Sequence, residues 1–242
     1  MGKVFKVVLV CLLFSIQFTA FGQVAEKPDD LLKPEFHQAK REELRRIMPP
    51  NSVAVFFSNA VRNRSNDGFY KYHPDRNFYY LTGYQEPDAV LLIFKENQTI
   101  NKKESNEIIF VRQHDALKEL YDGARLGKEG AREKLKVQVA YEGPEFENFP
   151  IDFSKYDKVL FYDFFNDVRD TDEKGDLFDL IEQFKQKVGY TKTNLNVTIE
   201  PKKNNIDLVS LDGLMKKLRG IKSPEEIELL RKAINISAVG QV

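Results

Sequence analysis

The sequence predicts an α/β fold, a mixed β-sheet flanked by helices. Three observations carry that expectation. Four short runs rich in β-branched and aromatic residues, "SVAVFFS", "DAVLLIF", "NEIIFV" and "KVLFY", read as buried strands. Between and after them lie stretches whose apolar residues recur at spacings of three and four, the signature of helices with one buried face. No internal repeat, low-complexity tract or Gly/Ser linker interrupts the alternation. Strands and helices in alternation form layers around a shared core.

Taken in order, the chain opens on a segment outside that fold. Lys3 and Lys6 form a short basic region, "VVLVCLLFSIQF" is apolar, and Ala20 and Gly22 are the small residues a signal peptidase reads. Residues 1–22 are therefore expected to be a signal peptide cleaved before Gln23. The apolar run falls short of the ~20 residues of a membrane span. The protein is expected to be exported, periplasmic or secreted, with no membrane attachment after cleavage. Cys11, the only cysteine, leaves with this segment. Neither a disulfide nor a thiol remains in the rest.

Residues 23–33 read as a polar leader. Pro34 then opens a helix with Phe36, Ala39, Leu44 and Ile47 on one face, ended by Pro49-Pro50. "SVAVFFS" follows as a strand, and "NRSNDG" as a polar turn. "DAVLLIF" and "NEIIFV" are strands separated by the turn-rich "KENQTINKKES", and "KVLFY" is a fourth. "DEKGDLFDLIEQFKQKVG" is the strongest helix, with Leu177, Leu180, Ile181, Phe184 and Val188 on one stripe and Gly189 as its stop. "NLNVTIEP" reads as a late strand. The Pro201–Asn205 stretch is the expected boundary, giving a domain over 34–205 and a second segment over 206–242. In the latter, Ser210 is expected to cap a helix carrying Leu211, Leu214, Met215 and Leu218. Ser223 and Glu226 form a capping box with Pro224 at the first helical position, and Ile227, Leu230, Ile234 and Ala238 line one apolar face.

Composition limits the function. Without Lys3 and Lys6, 35 basic residues face 37 acidic ones, so neither nucleic acid nor an anionic membrane surface is an expected partner. His37, His73 and His114 are scattered, with no pair at metal-ligand spacing, so no metal site is expected from them. "DTDEKGD" has Lys174 and Ile181 where a calcium loop needs oxygen ligands, and reads instead as an acidic helix start. Gly123, Gly127 and Gly130 match neither a dinucleotide fingerprint nor a phosphate loop, and no G-x-S-x-G elbow is present. The aromatic stretch "FYKYHPDRNFYYLTGY" carries only Lys71 and Arg76 as cations, which argues for core packing or a tyrosine rim rather than base stacking. No catalytic residue is identifiable.

"FYYLTGYQEPDAVLLI" resembles the hallmark of the N-terminal domain of Xaa-Pro aminopeptidases (aminopeptidase P), an aromatic cluster followed by T-G-[FY] and E-P-[DE]-A-V. "ELYDGARLG" is similar to the family's W/Y-x-G-x-R-x-G segment. "LRGIKSPEEIELLRKA" resembles the start of the catalytic domain in the wider creatinase and prolidase superfamily. The resemblance implies the aminopeptidase P/creatinase N-terminal fold over 34–205, with 206–242 as the first part of a truncated pita-bread domain. It also implies two metal ions, usually manganese, held by two Asp, one His and two Glu, all beyond the equivalent of Val242. With them the family hydrolyses the bond after an N-terminal residue that precedes proline. The N-terminal domain shapes access and oligomer contacts. By this resemblance Tyr121 is a substrate-binding residue, lining the pocket for the leaving residue in a place where tryptophan is commoner. Asp67 matches an acidic position that reaches a neighbouring subunit's site. The implied partners are proline-containing peptides and further copies of the chain in a homo-oligomer. The alternatives are a prolidase- or creatinase-like parent, and a freestanding exported module for peptide binding or oligomerisation.

Overall fold

A computed structural model describes residues 31–164, 171, 173–190 and 205–241. The chain divides into two compact units, Met1–Leu31 and Leu32–Val242, and the second carries the fold. The expected signal peptide, most of the leader, the expected strand "NLNVTIEP" and most of the expected boundary at 201–205 lie outside the described residues. No helix among the described residues is long and apolar enough to cross a membrane.

The predicted α/β architecture is present. Among the described residues a six-stranded mixed sheet runs in the order β6-β5-β4-β1-β7-β8. Its strands are β1 (Ser52–Phe57), β4 (Val90–Ile100), β5 (Lys103–Val111), β6 (Val139–Glu142), β7 (Lys158–Leu160) and β8 (Ile206–Asp207), with β2 (Asn63–Ser65) and β3 (Gly68–Phe69) forming a separate hairpin. β1 pairs antiparallel with β4 from Val53↔Phe94 to Phe57↔Val90, and β4 antiparallel with β5. β6 lies parallel to β5, β7 to β1 and β8 to β7. β4 alone therefore runs against the other five.

The strand period of two sorts the core into two layers. Ala54, Phe56, Leu91, Ile93, Ile109 and Val111 face one side. They pack with α1 (Pro34–Ile47), α2 (Arg76–Thr82), α4 (Gly127–Leu135) and α6 (Ser210–Gly220) through residues such as Leu44, Leu81, Ala131 and Met215. Val53, Val55, Val90, Leu92, Ile108 and Phe110 face the other side. There they meet α5 (Leu177–Val188) and two short 3₁₀ turns through Phe146, Phe153, Leu180 and Phe184. The remaining helices among the described residues are α3 (Ala116–Asp122) and α7 (Pro224–Val239).

Several local expectations are met. α5 buries Leu177, Leu180, Phe184 and Val188 with Ile181 packed beside them, and ends at Gly189 in the left-handed region, φ 71°. α7 carries the full Ser223–Glu226 capping box. The structure corrects others. "KENQTINKKES" is no loop: β4 continues to Ile100 and β5 begins at Lys103, and the reversal takes only Asn101 and Lys102, both at positive φ. Two such residues make the tight hairpin turn whose twist matches its strands. Ser210 does not cap α6. It is the first residue inside that helix, and the Asp207 carboxylate accepts instead from the Val209 and Ser210 amides and the Ser210 hydroxyl.

On α1, Ala39 is exposed, and the buried positions are His37, Lys40, Arg41 and Leu44. Arg41 escaped an apolar-stripe reading because it is charged. Its guanidinium is wholly buried, donating to both Glu107 carboxylate oxygens at 2.7 and 3.2 Å and to the carbonyls of Leu81, Leu135 and Lys136. This one side chain joins α1, the end of α2, β5 and the end of α4. Residues 206–220, beyond the expected boundary, add β8 to the same sheet and bury Leu211, Met215 and Leu218 in the same core.

Candidate functional site at the carboxyl edge of the sheet

Because β4 alone is reversed, the segments following β1, β5, β6, β7 and β8 leave from one edge of the sheet, and the segment entering β4 arrives there. Side chains that leave a strand at its carboxyl end are free of the ladder, which is why open α/β sheets build sites along that edge. Both candidate residues lie in segments that leave from this edge. Asp67 lies in the turn of the β2–β3 hairpin, after β1, beside Asn66 at φ 48°, and is exposed. Asn63 shapes this turn by donating from its side chain to the Asn66 carbonyl at 2.7 Å. Tyr121 lies on α3, after β5, and is 84% exposed. No hydrogen bond joins the two among the described residues.

The segment entering β4 is the hub of this edge. α2 starts at Asp75, whose carboxylate accepts from the Asn77 and Phe78 amides, and ends at Gly83 with φ 70°. A Cβ at Gly83 would also sit 2.8 Å from the His37 ring, so both the turn and the close approach require glycine there. Beyond it, the Glu86 carboxylate accepts from the Tyr84 hydroxyl at 3.1 Å and the Leu126 amide at 2.8 Å, with Arg112 paired at 3.7 Å. The Tyr72 hydroxyl donates to the Glu86 carbonyl at 2.9 Å. Asp88 is buried and accepts from the Leu177 amide in the first turn of α5 at 3.0 Å. Arg125, 3% exposed, donates to Glu173 at 2.6 and 3.2 Å and to the Gln113 carbonyl at 3.2 Å.

Burial acts on the titration of each of these groups. It pushes the Asp88 carboxyl up to about 6, against the opposing pull of the Leu177 amide and Arg112. Burial also holds the Tyr72 and Tyr84 phenols well above their ordinary range, so both act as neutral donors. At Glu173 burial works upward too, but the bonds from Arg125 and Lys118 outweigh it and hold the carboxyl below the usual range. In sequence, Glu86, Asp88 and Arg125 stand within the family motifs without an assigned role. The available signal was charge inside apolar surroundings, since such groups stay buried only when paired.

The histidines stay apart. His37 is buried, with Nδ1 2.9 Å from the Tyr80 carbonyl, and burial lowers its pKa. His114 Nδ1 lies 2.9 Å from Glu119, and His73 is exposed. Among the described residues no group of three or more His, Cys, Asp or Glu could hold a metal ion. These donors do not fit a dinuclear centre. At this edge Tyr84 is buried, Tyr72 is half-buried and Tyr121 is exposed.

Residues 37–161 match the family model described as "Aminopeptidase P, N-terminal domain". The chain is 31% identical over 212 residues to the Xaa-Pro aminopeptidase of Haemophilus influenzae, covering 88% of this chain and 42% of that protein. It is 29% identical over 218 residues to the Xaa-Pro aminopeptidase of Escherichia coli, covering 87% of this chain and 44% of that protein. The solved structure of aminopeptidase P from E. coli with the inhibitor Pro-Leu superposes with a TM-score of 0.64 at 26% identity, over 87% of this chain and 44% of that one. The chain thus spans less than half the length of these relatives.

Proposed function

Because the chain belongs to the aminopeptidase P N-terminal domain family, we propose that it is the N-terminal, non-catalytic part of an exported Xaa-Pro aminopeptidase. One observation carries the reading: most of this chain corresponds to less than half of each relative, and those relatives are named for that activity. The signal peptide at 1–22 supplies export. The domain begun at residue 34 shapes the approach of an N-terminal residue followed by proline. Residues 206–242 lead into the catalytic domain, and the exposed apolar side of α7 fits a helix that a further domain covers. The chemistry of the complete enzyme belongs to two manganese ions held beyond residue 242. Tyr121 lines the pocket for the leaving residue. Asp67, at the tip of an exposed hairpin, reaches toward a neighbouring copy in a homo-oligomer.

The reading frame downstream of the Val242 codon tests this directly. The expected result is a continuation encoding two Asp, one His and two Glu as metal ligands. A stop codon there would sink the proposal. A freestanding peptide-binding module would take its place, a reading favoured by the outward apolar face of α3.

A further inference from the structure

The helix that carries Tyr121 has no hydrophobic anchor. α3 buries none of its seven residues. Leu117, Leu120 and Tyr121, spaced as one helical face, are 68%, 79% and 84% exposed, so the apolar side turns away from the core. A helix this short does not hold its own conformation in water. Its local bonds shape it without placing it. Asp115 accepts from the Leu117 and Lys118 amides, and the Glu119 carboxylate accepts from the Asp115 amide, all within five residues.

Its placement comes from a distant residue. Lys118 Nζ lies 3.0 Å from Glu173, and the buried Arg125 guanidinium grips the same carboxylate with two hydrogen bonds. Arg125 also donates to the Gln113 carbonyl and sits 3.8 Å from Asp122, so it touches the chain before α3 and at its end. Glu173 is itself fixed. Its amide donates to the Thr171 hydroxyl and its carbonyl accepts from the Asp176 amide, in the turn that opens α5. α5 is sealed in the core by Leu180 and Phe184. The order of support therefore runs from core to α5, to Glu173, to Arg125 and Lys118, and only then to α3.

We propose that Glu173 is a positioning residue, whose carboxylate clamps α3 to the core and so fixes the Tyr121 ring at the carboxyl edge of the sheet. Its significance for substrate rests on the pocket role of Tyr121 given above. Glu86 holds the Leu126 amide independently, so the loss of Glu173 frees α3 and leaves the start of α4 in place.

The chain contains no tryptophan, so Tyr121→Trp installs a single fluorescent reporter on α3. The experiment compares this 242-residue chain with the same chain carrying Glu173→Ala or Lys118→Met, by the fluorescence anisotropy of the introduced indole and by amide hydrogen exchange. The expected result in Glu173→Ala is lower anisotropy and roughly tenfold faster exchange at Glu119 and Gly123, with β4 and β5 unchanged. Lys118→Met removes only the exposed arm of the clamp, and about threefold faster exchange is expected there. Unchanged α3 exchange and anisotropy would overturn the clamp. So would equal acceleration of α3, β4 and β5, which would make Glu173 a general stabiliser. If Glu173→Ala does not fold, Lys118→Met decides in either direction. No substrate enters these measurements. An ordered α3 whose Tyr121→Ala variant left peptide selectivity of the complete enzyme unaltered would sink the pocket role and leave the clamp standing.

Discussion

Asp88 joins two elements through one carboxylate, and its environment makes that joint depend on pH. The group sits at φ 59°, is buried, and accepts from the Leu177 amide with Asp176 and Glu173 nearby. Its folded pKa of about 6 lies above its ordinary value of 3.8. The native state therefore holds a proton that the unfolded chain has already released. In the window between those values stability falls as pH rises, and above about 6 the contribution is flat. Two units correspond to a ceiling of about 2–3 kcal/mol. Asp88→Asn keeps an acceptor for the Leu177 amide and suits the positive φ. The expected outcome is a variant at least as stable as the parent at pH 7, with a flatter denaturation midpoint between about pH 4 and 6. A parental pH slope in the variant would show that Asp88 titrates normally. The charged positions of this edge were only partly visible in sequence. Glu86 and Asp88 stood in a recognisable motif, but their partners Leu126 and Leu177 are identified by topology, not by any local pattern.

At the scale of elements, α7 is loosely joined to the core. Its capping box and spacing make it a helix, yet none of its residues is buried, and Leu230 and Ile234 are 47% and 64% exposed. One long-range tie is the Tyr80 hydroxyl, 3.5 Å from Glu226, which is weak geometry for a hydrogen bond. Deleting 221–242 is therefore expected to shift the melting temperature by less than about 2 °C and to reduce self-association, since exposed apolar faces promote contact rather than stability. A fall of about 10 °C would place α7 in the core. α1 makes the opposite case. Its Pro34 start was legible, but its hold on the sheet rests on Arg41 and Glu107, 66 residues apart. Removing one partner of such a buried pair costs about 3–5 kcal/mol.

For the chain as a whole, the response to metal ions is the decisive measurement. Among the described residues no donor group suits a metal ion. An ion that bound only the native state at a hundredfold excess over its Kd would stabilise it by about 2.7 kcal/mol. In a chain of this size that is a rise of roughly 5–10 °C. Residues 23–242 are expected to melt at the same temperature in chelator and in excess manganese, and to release no N-terminal residue from an Xaa-Pro peptide. A manganese-dependent shift, or metal-dependent cleavage, would reveal a site within these residues.

The sequence by itself determined the strand runs, the stripe of α5, the capping box of α7 and the family motifs. All of these depend on residues a few positions apart, where periodicity and turn chemistry are local physics. Local pattern also misled where polar residues occupied a strand. "KENQTINKKES" carries the hairpin of β4 and β5 because cross-strand pairing outweighs its weak strand propensity. Only the tertiary structure decided that the segments carrying Asp67 and Tyr121 leave from one edge, that Arg41 finds Glu107, and that Glu173 meets Arg125 and Lys118. Those partners lie 48 to 66 residues apart, and the order and direction of the strands bring them together. A buried charge must be paired, but the sequence does not say with which residue.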